Sequence, residues 1–99
     1  MQLKIVAKIL KGSIIMSRFD KILKRFKSEP RDFTYEELIY LLNNLGFYEN
    51  SKGHTSGSRV EFKDLFGRKL LLHKPHPNNI IKPYIIKSIL NSLKEWRII

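Results

Sequence analysis

The sequence has no cysteine among its 99 residues. This absence excludes a disulfide-stabilised scaffold, a zinc site built from thiolates and a cysteine nucleophile. It is compatible with a reducing compartment. At this length the chain is expected to form one domain with a single, modest hydrophobic core.

Acidic residues are scarce. Nine Asp and Glu stand against 19 Lys and Arg, which gives a formal net charge of +10. Residues 1–27 hold eight basic residues and one acid, whereas residues 28–99 hold eleven and eight. A small protein with this charge is expected to bind a polyanion: a nucleic acid, an acidic protein or an anionic membrane surface. The plainer interpretation, that the charge only keeps the protein in solution, stays open.

Long apolar runs are also missing. No run of uncharged residues approaches the roughly twenty that a membrane-spanning helix needs. The first residues mix lysine with apolar side chains, as a signal peptide does. However, Lys8 and Lys11 interrupt the apolar run, and no small-residue cleavage site follows. We therefore expect a cytoplasmic protein with no membrane partner.

The N-terminal part of the chain divides at Met16. Residues 1–16 fit a helix or a strand equally well and are interpreted as an extension outside the domain, with Met16 as an alternative start. Residues 17–28 are predicted to form an extra basic helix, because apolar residues recur at helical spacing among lysines and arginines. This helix either contacts RNA or a membrane, or packs by its apolar stripe. The second interpretation is favoured.

The single domain is predicted to span residues 17–99, with residues 33–96 as its core. A helix begins after Thr34, because Thr34 and Glu37 form a capping box, and Gly46 ends it. The predicted strands are Phe47–Asn50, Ser58–Lys63 and Arg68–His73, followed by a helix that starts near Lys82. The predicted fold class is α+β: a three-stranded antiparallel sheet with two helices packed on one face, preceded by an N-terminal helix.

The stretch from Gly53 to His76 contains all three histidines. Alternation along the second and third strands sends four apolar side chains toward the helices, namely Val60, Phe62, Leu70 and Leu72. The helix-free face then carries four basic residues and one acid: Arg59, Lys63, Lys69, His73 and Glu61. Such a face could bind phosphates, although a solvated face is common on antiparallel sheets.

The histidines pose the question of metal or acid–base chemistry. A zinc site at His73 and His76 is not expected, because no nearby carboxylate completes the ligands and two prolines constrain the backbone. No metal or other cofactor is expected. Metal-free RNA cleavage needs a base for the 2′-hydroxyl proton, cations for the phosphate and an acid for the leaving oxygen. Histidine, arginine and lysine can supply all three.

Four features occur in order between residues 33 and 93. They are Leu45-Gly46-Phe47 after the leading helix, Gly57-Ser58-Arg59-Val60-Glu61-Phe62 entering a strand, the His76-Pro77 turn, and Lys82, Pro83, Ile89 and Leu90 in the last helix. In these features the chain resembles the HicA-type mRNA interferase toxins of bacterial toxin–antitoxin modules. The resemblance implies a fold like a double-stranded-RNA-binding domain and ribosome-independent cleavage of mRNA. It also implies neutralisation by an acidic HicB-type antitoxin that covers the active face.

The resemblance also locates a departure. The family's catalytic histidine follows Gly-Ser at the start of the second strand, where this chain has Arg59. Arginine binds phosphate but cannot act as a base at neutral pH. A neighbouring histidine is therefore expected to be the base: His73 first, because it lies across the hairpin on the same face, then His54, then His76.

The residues expected to bind RNA are Ser58, Arg59, Lys63, Lys69 and Lys74. Two alternatives stay open beside the nuclease. One is a non-catalytic RNA-binding module of the same fold. The other is a domain whose basic face binds an acidic protein.

Overall fold

The computed structural model describes residues 16–50, 59–75 and 78–99. Its elements are α1 (Arg18–Lys27), α2 (Tyr35–Asn44), β1 (Tyr48–Glu49), β2 (Arg59–Lys63), β3 (Lys69–His73) and α3 (Pro83–Glu95). The strands form one antiparallel sheet in the order β1-β2-β3. The predicted α+β class is confirmed, and the order from α2 to α3 agrees with the fold that the resemblance implies. The predictions for residues 1–15 fall outside the described residues.

Helix α1 begins with a capping box. The Ser17 hydroxyl accepts a hydrogen bond from the Asp20 N–H at 3.1 Å, and the Asp20 carboxylate accepts one from the Ser17 N–H at 3.3 Å. The apolar stripe of the helix buries Ile22 and Phe26 in the same core as the sheet and the other helices. The ring of Phe26 lies 5.4 Å from that of Phe33. This packing agrees with the favoured interpretation of a structural helix.

Helix α2 has the predicted capping box. The Thr34 hydroxyl accepts from the Glu37 N–H at 3.1 Å, and the Glu37 carboxylate accepts from the Thr34 N–H at 2.9 Å. The guanidinium of Arg25, on α1, donates to the same carboxylate at 3.2 and 3.3 Å. Burial raises the pKa of Glu37, but these hydrogen bonds outweigh it and hold the pKa below its ordinary value. Gly46 ends the helix region with a φ of +93°, as its position predicted.

Strand β1 is shorter than predicted. It comprises Tyr48 and Glu49 alone, which pair with Lys63 and Phe62 of β2. Phe47 lies outside the strand because its N–H donates to the Leu42 carbonyl of α2 at 2.8 Å. Its fully buried ring stacks on Trp96, at 5.9 Å between ring centroids and 16° between planes. A backbone hydrogen bond to the last turn of α2 therefore replaces strand pairing at this residue.

The turn between β2 and β3 is built around Asp64, which is only 7% exposed. Its carboxylate accepts hydrogen bonds from the N–H groups of Phe66 and Arg68 at 3.0 and 2.9 Å, and from the Arg68 guanidinium at 2.6 Å. Gly67 has a φ of +84°, a conformation that glycine adopts without strain. Because Arg68 is committed to this turn, β3 begins at Lys69 and not at the predicted Arg68.

Helix α3 starts as predicted, with Lys82 at the N-cap and Pro83 at the first helical position. Four of its side chains are buried, namely Ile86, Ile89, Leu90 and Leu93. The segment before the helix is tied to the start of α2: the Ile81 N–H donates to the Phe33 carbonyl at 2.7 Å. This tie holds the start of α3 beside the start of α2.

Candidate functional site

Among the described elements, no helix packs on one face of the sheet, and we call this the open face. It consists of the outward side chains of β2 and β3: Arg59, Glu61, Lys63, Lys69, Leu71 and His73. Burial alternates along both strands, with these residues at the exposed or half-buried positions and their neighbours in the core. The predicted distribution between the two faces is therefore confirmed.

The strand register brings Arg59 and His73 together. They are directly opposite each other in the antiparallel pairing of β2 with β3. Directly opposed residues on one face have Cβ atoms about 5 Å apart, so the guanidinium and the imidazole can reach one group between them. A guanidinium binds a phosphate through two parallel N–H donors, and a neutral imidazole can take a proton. This pair therefore holds the residue types that phosphodiester chemistry uses.

The other end of the open face carries a pair of like charges. Lys63 lies directly opposite Lys69, an arrangement that repels. Within the described ranges, no salt bridge joins Arg59, Lys63 or Lys69 to a carboxylate. The cations of the open face therefore have charge available for an anionic partner.

The acid on the open face is held by Asn50, the residue that follows β1. The side-chain amide of Asn50 donates to the Glu61 carboxylate at 2.9 Å, and the Asn50 N–H donates to the Glu61 carbonyl at 2.8 Å. Glu61 lies opposite Leu71, between the Arg59–His73 pair and the Lys63–Lys69 pair. The carboxylate thus lies between Arg59 at one end of the open face and the two lysines at the other.

A cavity of about 260 Å³ begins where the open face ends at His73. It lies between the end of β3 and the first turn of α3. Its lining residues are His73, Lys74, Pro75, Ile80, Ile81, Lys82, Tyr84 and Ile85. We call it the His73 cavity. The sequence did not place Lys82 or Tyr84 at the site, because their approach to His73 depends on how the connection between β3 and α3 folds back.

The turn beside the Lys63–Lys69 pair has its own electrostatics. Burial raises the pKa of Asp64, but the hydrogen bonds from Arg68 and from the Phe66 N–H outweigh it, so the pKa lies below its ordinary value. Asp64 therefore stays ionised at neutral pH and fixes the turn that closes the β2–β3 hairpin.

The structure places five of the predicted site residues and leaves three outside. Arg59, Lys63, Lys69 and His73 share the open face, and Lys74 follows directly on the rim of the His73 cavity. The other three, His54, Ser58 and His76, lie outside the described residues.

Comparison with protein families finds a match. The model of a family described as the HicA toxin of bacterial toxin–antitoxin modules matches residues 35–95. The chain belongs to the HicA toxin family. The HicA match begins at the first residue of α2 and ends at the last residue of α3, so it contains the whole sheet and excludes α1. No curated protein and no solved structure matches the chain.

The family relation confirms the resemblance drawn from the sequence. It makes the chain a toxin-family member of a bacterial toxin–antitoxin system, in which a toxin is paired with an antitoxin. Within the described residues, no helix is long and apolar enough to cross a membrane.

Proposed function

We propose that this HicA-family protein is an endoribonuclease toxin that binds mRNA on the open face and cleaves it there, without a metal or other cofactor. The observation that carries the proposal is the direct pairing of Arg59 with His73. The excess of positive charge, +10 overall, supports a polyanionic substrate. Since mRNA is the substrate, the proposed site of action is the cytoplasm.

His73 is the proposed base. Its neutral imidazole takes the proton of a 2′-hydroxyl, and that oxygen attacks the adjacent phosphorus. The bond from phosphorus to the 5′-oxygen of the next nucleotide breaks, and the leaving oxygen takes up a proton. The products are a 2′,3′-cyclic phosphate and a free 5′-hydroxyl. A second histidine, His54 or His76, is proposed to supply the proton to the leaving oxygen.

Arg59 is proposed to bind the phosphate that reacts. Its guanidinium stabilises the negative charge that grows on the phosphate oxygens as the fifth bond to phosphorus forms. The flanking phosphates are proposed to bind Ser58, Lys63, Lys69 and Lys74. Arginine at this position thus keeps the electrostatic part of the catalysis, while the base is supplied from the opposite strand.

The test separates binding from cleavage. A 5′-labelled RNA is incubated with the full chain, and cleavage rate and affinity are measured for His73→Ala, Arg59→Ala and the charge-matched control Lys94→Ala. Loss of a base should lower the cleavage rate by about 100-fold or more, with little change in affinity. Arg59→Ala should lower both, and Lys94→Ala neither, because Lys94 lies near the end of α3, away from the open face.

A double variant tests whether position 59 is still the catalytic position. Arg59→His introduces the histidine that the family carries, in a protein that also has His73→Ala. Recovery of cleavage by this double variant would support a reaction centred between the two positions. If His73→Ala cleaves at the wild-type rate, His73 is not the base.

The second candidate function is RNA binding without cleavage. The observation that favours it is Arg59 itself, which cannot accept a proton at neutral pH. In this case the wild type binds RNA with an affinity that falls steeply with salt, yet leaves the RNA intact. The same assay therefore decides between the two functions.

The proposed protein partner is an acidic antitoxin of the HicB type. The open face has three cations that form no salt bridge among the described residues: Arg59, Lys63 and Lys69. Their positive charge is complementary to a surface rich in carboxylates. If the antitoxin covers the open face, RNA and antitoxin compete, and Lys63→Glu weakens both. Simultaneous binding of the two would contradict a shared face. The same competition experiment tests the remaining alternative, a domain whose basic face binds an acidic protein and does not bind RNA.

A further inference from the structure

We infer that the His73 cavity binds a single unpaired nucleobase of the RNA, next to the phosphate held by Arg59 and His73. The inference rests on the proposed function and adds a substrate class to it: RNA that is single-stranded at the point of contact. The argument uses the size of the cavity, its walls, its charge and its position.

The size suits a small planar group. At about 260 Å³ the cavity lies just below the range of roughly 300–1,000 Å³ that is usual for drug-sized ligands. It can therefore take one ring system and not a larger ligand. A folded RNA element or a base pair does not fit.

The walls combine an apolar floor with an exposed aromatic ring. Ile80, Ile81, Ile85 and Pro75 provide the apolar part of the lining. Tyr84 completes the wall and is 67% exposed, so its ring adds little to the protein core. An exposed tyrosine ring beside an apolar cavity offers the stacking surface that proteins use for single-stranded bases.

The charge of the rim is positive. Lys74 and Lys82 line the cavity, and its lining in the described residues includes no acid. Lys82 is the N-cap residue of α3, and its side chain makes no capping hydrogen bond. Both ammonium groups can therefore reach the phosphates on either side of a bound base.

The position links the cavity to the proposed reaction. His73 belongs to both sites: it faces Arg59 across the sheet and also lines the cavity. A phosphate bound by Arg59 and His73 therefore lies next to the cavity mouth, within reach of the base of the same nucleotide. Since a base inside the cavity is neither paired nor stacked on its neighbours, the RNA must be single-stranded there.

The first experiment uses nucleoside 5′-monophosphates, which have no internucleotide bond and so report binding without cleavage. They are titrated into the isotope-labelled full chain, and NMR shifts are followed at the methyl groups of Ile80 and Ile85. We expect saturable shifts at these methyls. Inorganic phosphate is titrated in parallel and should leave them unshifted. Equal shifts with inorganic phosphate would overturn the inference in favour of an anion site.

Variants of Tyr84 test the stacking wall. Tyr84→Ala should weaken mononucleotide binding by roughly tenfold, whereas Tyr84→Phe keeps the ring and should bind as the wild type does. Phe66→Ala is the matched control, because Phe66 is an aromatic residue that is 81% exposed and lies in the turn at the other end of β3. Unchanged binding by Tyr84→Ala would overturn the inference.

The second experiment tests the substrate class with 2′-O-methyl RNA, which lacks the attacking hydroxyl and stays intact. Tyr84→Ala should lose roughly tenfold affinity for the single strand and none for the matching duplex. If both forms lose affinity equally, the cavity does not select unpaired bases. If the wild type cleaves RNA and Tyr84→Ala binds the single strand as tightly as the wild type does, the proposed function stands and this inference is overturned. If mononucleotides bind in the cavity but the wild type cleaves no RNA, the inference stands and the proposed nuclease function is wrong.

Discussion

Arg59 shows how far a single residue can be interpreted from sequence. Alternation predicts that it shares a face with His73, and the family resemblance marks it as the position of the usual catalytic histidine. Direct opposition of the two residues could not be predicted, because it depends on where β3 begins. Arg68 is drawn into the turn by Asp64, which moves the start of the strand to Lys69 and sets the register.

Asp64 makes the turn sensitive to acid. Its pKa is lowered in the folded protein, so its ionisation stabilises the fold above the ordinary pKa of 3.8, and that contribution is lost as the pH falls through the lowered value. Asp64→Asn keeps an oxygen acceptor for the two backbone N–H groups but loses the charge that faces Arg68. We expect a lower Tm than the wild type at neutral pH.

The pH series provides the check on Asp64. Thermal unfolding of both proteins is followed from neutral to acid pH. The difference in Tm should shrink at low pH, because the wild type loses the charge as well. Glu37 also has a lowered pKa but is common to both proteins, so its effect cancels. A difference that stays constant with pH would mean that the charge of Asp64 is not responsible.

The hydroxyl of Tyr35 is buried but forms no hydrogen bond with the described residues. The residue is 8% exposed. Burial, together with the carboxylates of Glu49 and Glu36, raises the pKa of Tyr35 to about 12. The hydroxyl therefore remains protonated at physiological pH.

Removing this hydroxyl should not harm the protein. We expect Tyr35→Phe to keep the free energy of unfolding or raise it by about 1 kcal/mol, because a buried unsatisfied hydroxyl is costly. Urea unfolding with an unchanged m-value measures the effect. A loss of stability would mean that the hydroxyl has a hydrogen-bonding role in the folded protein.

For helix α1, the sequence predicts the element but not its role. Its existence follows from the spacing of its apolar residues and from its cap. Its role does not, since a basic amphipathic helix can bind RNA or pack on the core, and the HicA match excludes it. Two contacts that the spacing does not predict attach the helix to the rest of the domain: Phe26 against Phe33, and Arg25 with Glu37.

The packing of α1 predicts a large effect of Phe26. Because this side chain is fully buried, Phe26→Ala should reduce the free energy of unfolding by about 3–5 kcal/mol. Lys24→Ala on the exposed side of the same helix should change it by less than about 0.5 kcal/mol. Denaturant unfolding of both variants is the measurement. Similar small effects would show that α1 is only loosely attached.

Strand β1 illustrates why element boundaries are harder to predict than elements. The run from Phe47 to Asn50 is typical of a strand, yet only Tyr48 and Glu49 pair with β2. The Phe47 N–H bonds to the end of α2 and its ring packs on Trp96, so the first residue stays outside the strand. The local sequence does not predict the contact of Phe47 with Trp96, because Trp96 lies at the far end of α3.

At the scale of the whole molecule, the charge is the property that the sequence predicts most directly, and the fold decides where the charge is used. The basic excess is largest before residue 28, but those residues belong to α1 or precede it. Four cations that the sequence assigned to RNA are described in the structure: Arg59, Lys63 and Lys69 on the open face, and Lys74 at its edge. The His73 cavity was not predicted, since it forms only when α3 packs beside the end of β3.

The four cations predict a salt dependence for RNA binding. If each contacts one phosphate of a single strand, a plot of log affinity against log salt should have a slope of roughly −3, since each contact contributes about −0.7. Lys69→Ala should make the slope shallower by about 0.7, and Lys94→Ala should leave it unchanged. Fluorescence anisotropy at several salt concentrations measures both. A slope near zero would contradict an electrostatic contact with the RNA backbone.

The opposition of Lys63 and Lys69 has a consequence for the lifetime of the protein. Two like charges held across a hairpin make the empty protein less stable than the same fold with an anion between them. Occupancy and folding are therefore coupled: if RNA or an antitoxin binds the open face as proposed, it also protects the chain against unfolding. Under this proposal the unbound protein is the form most open to proteolysis, and its abundance in the cell depends partly on how much of it is bound.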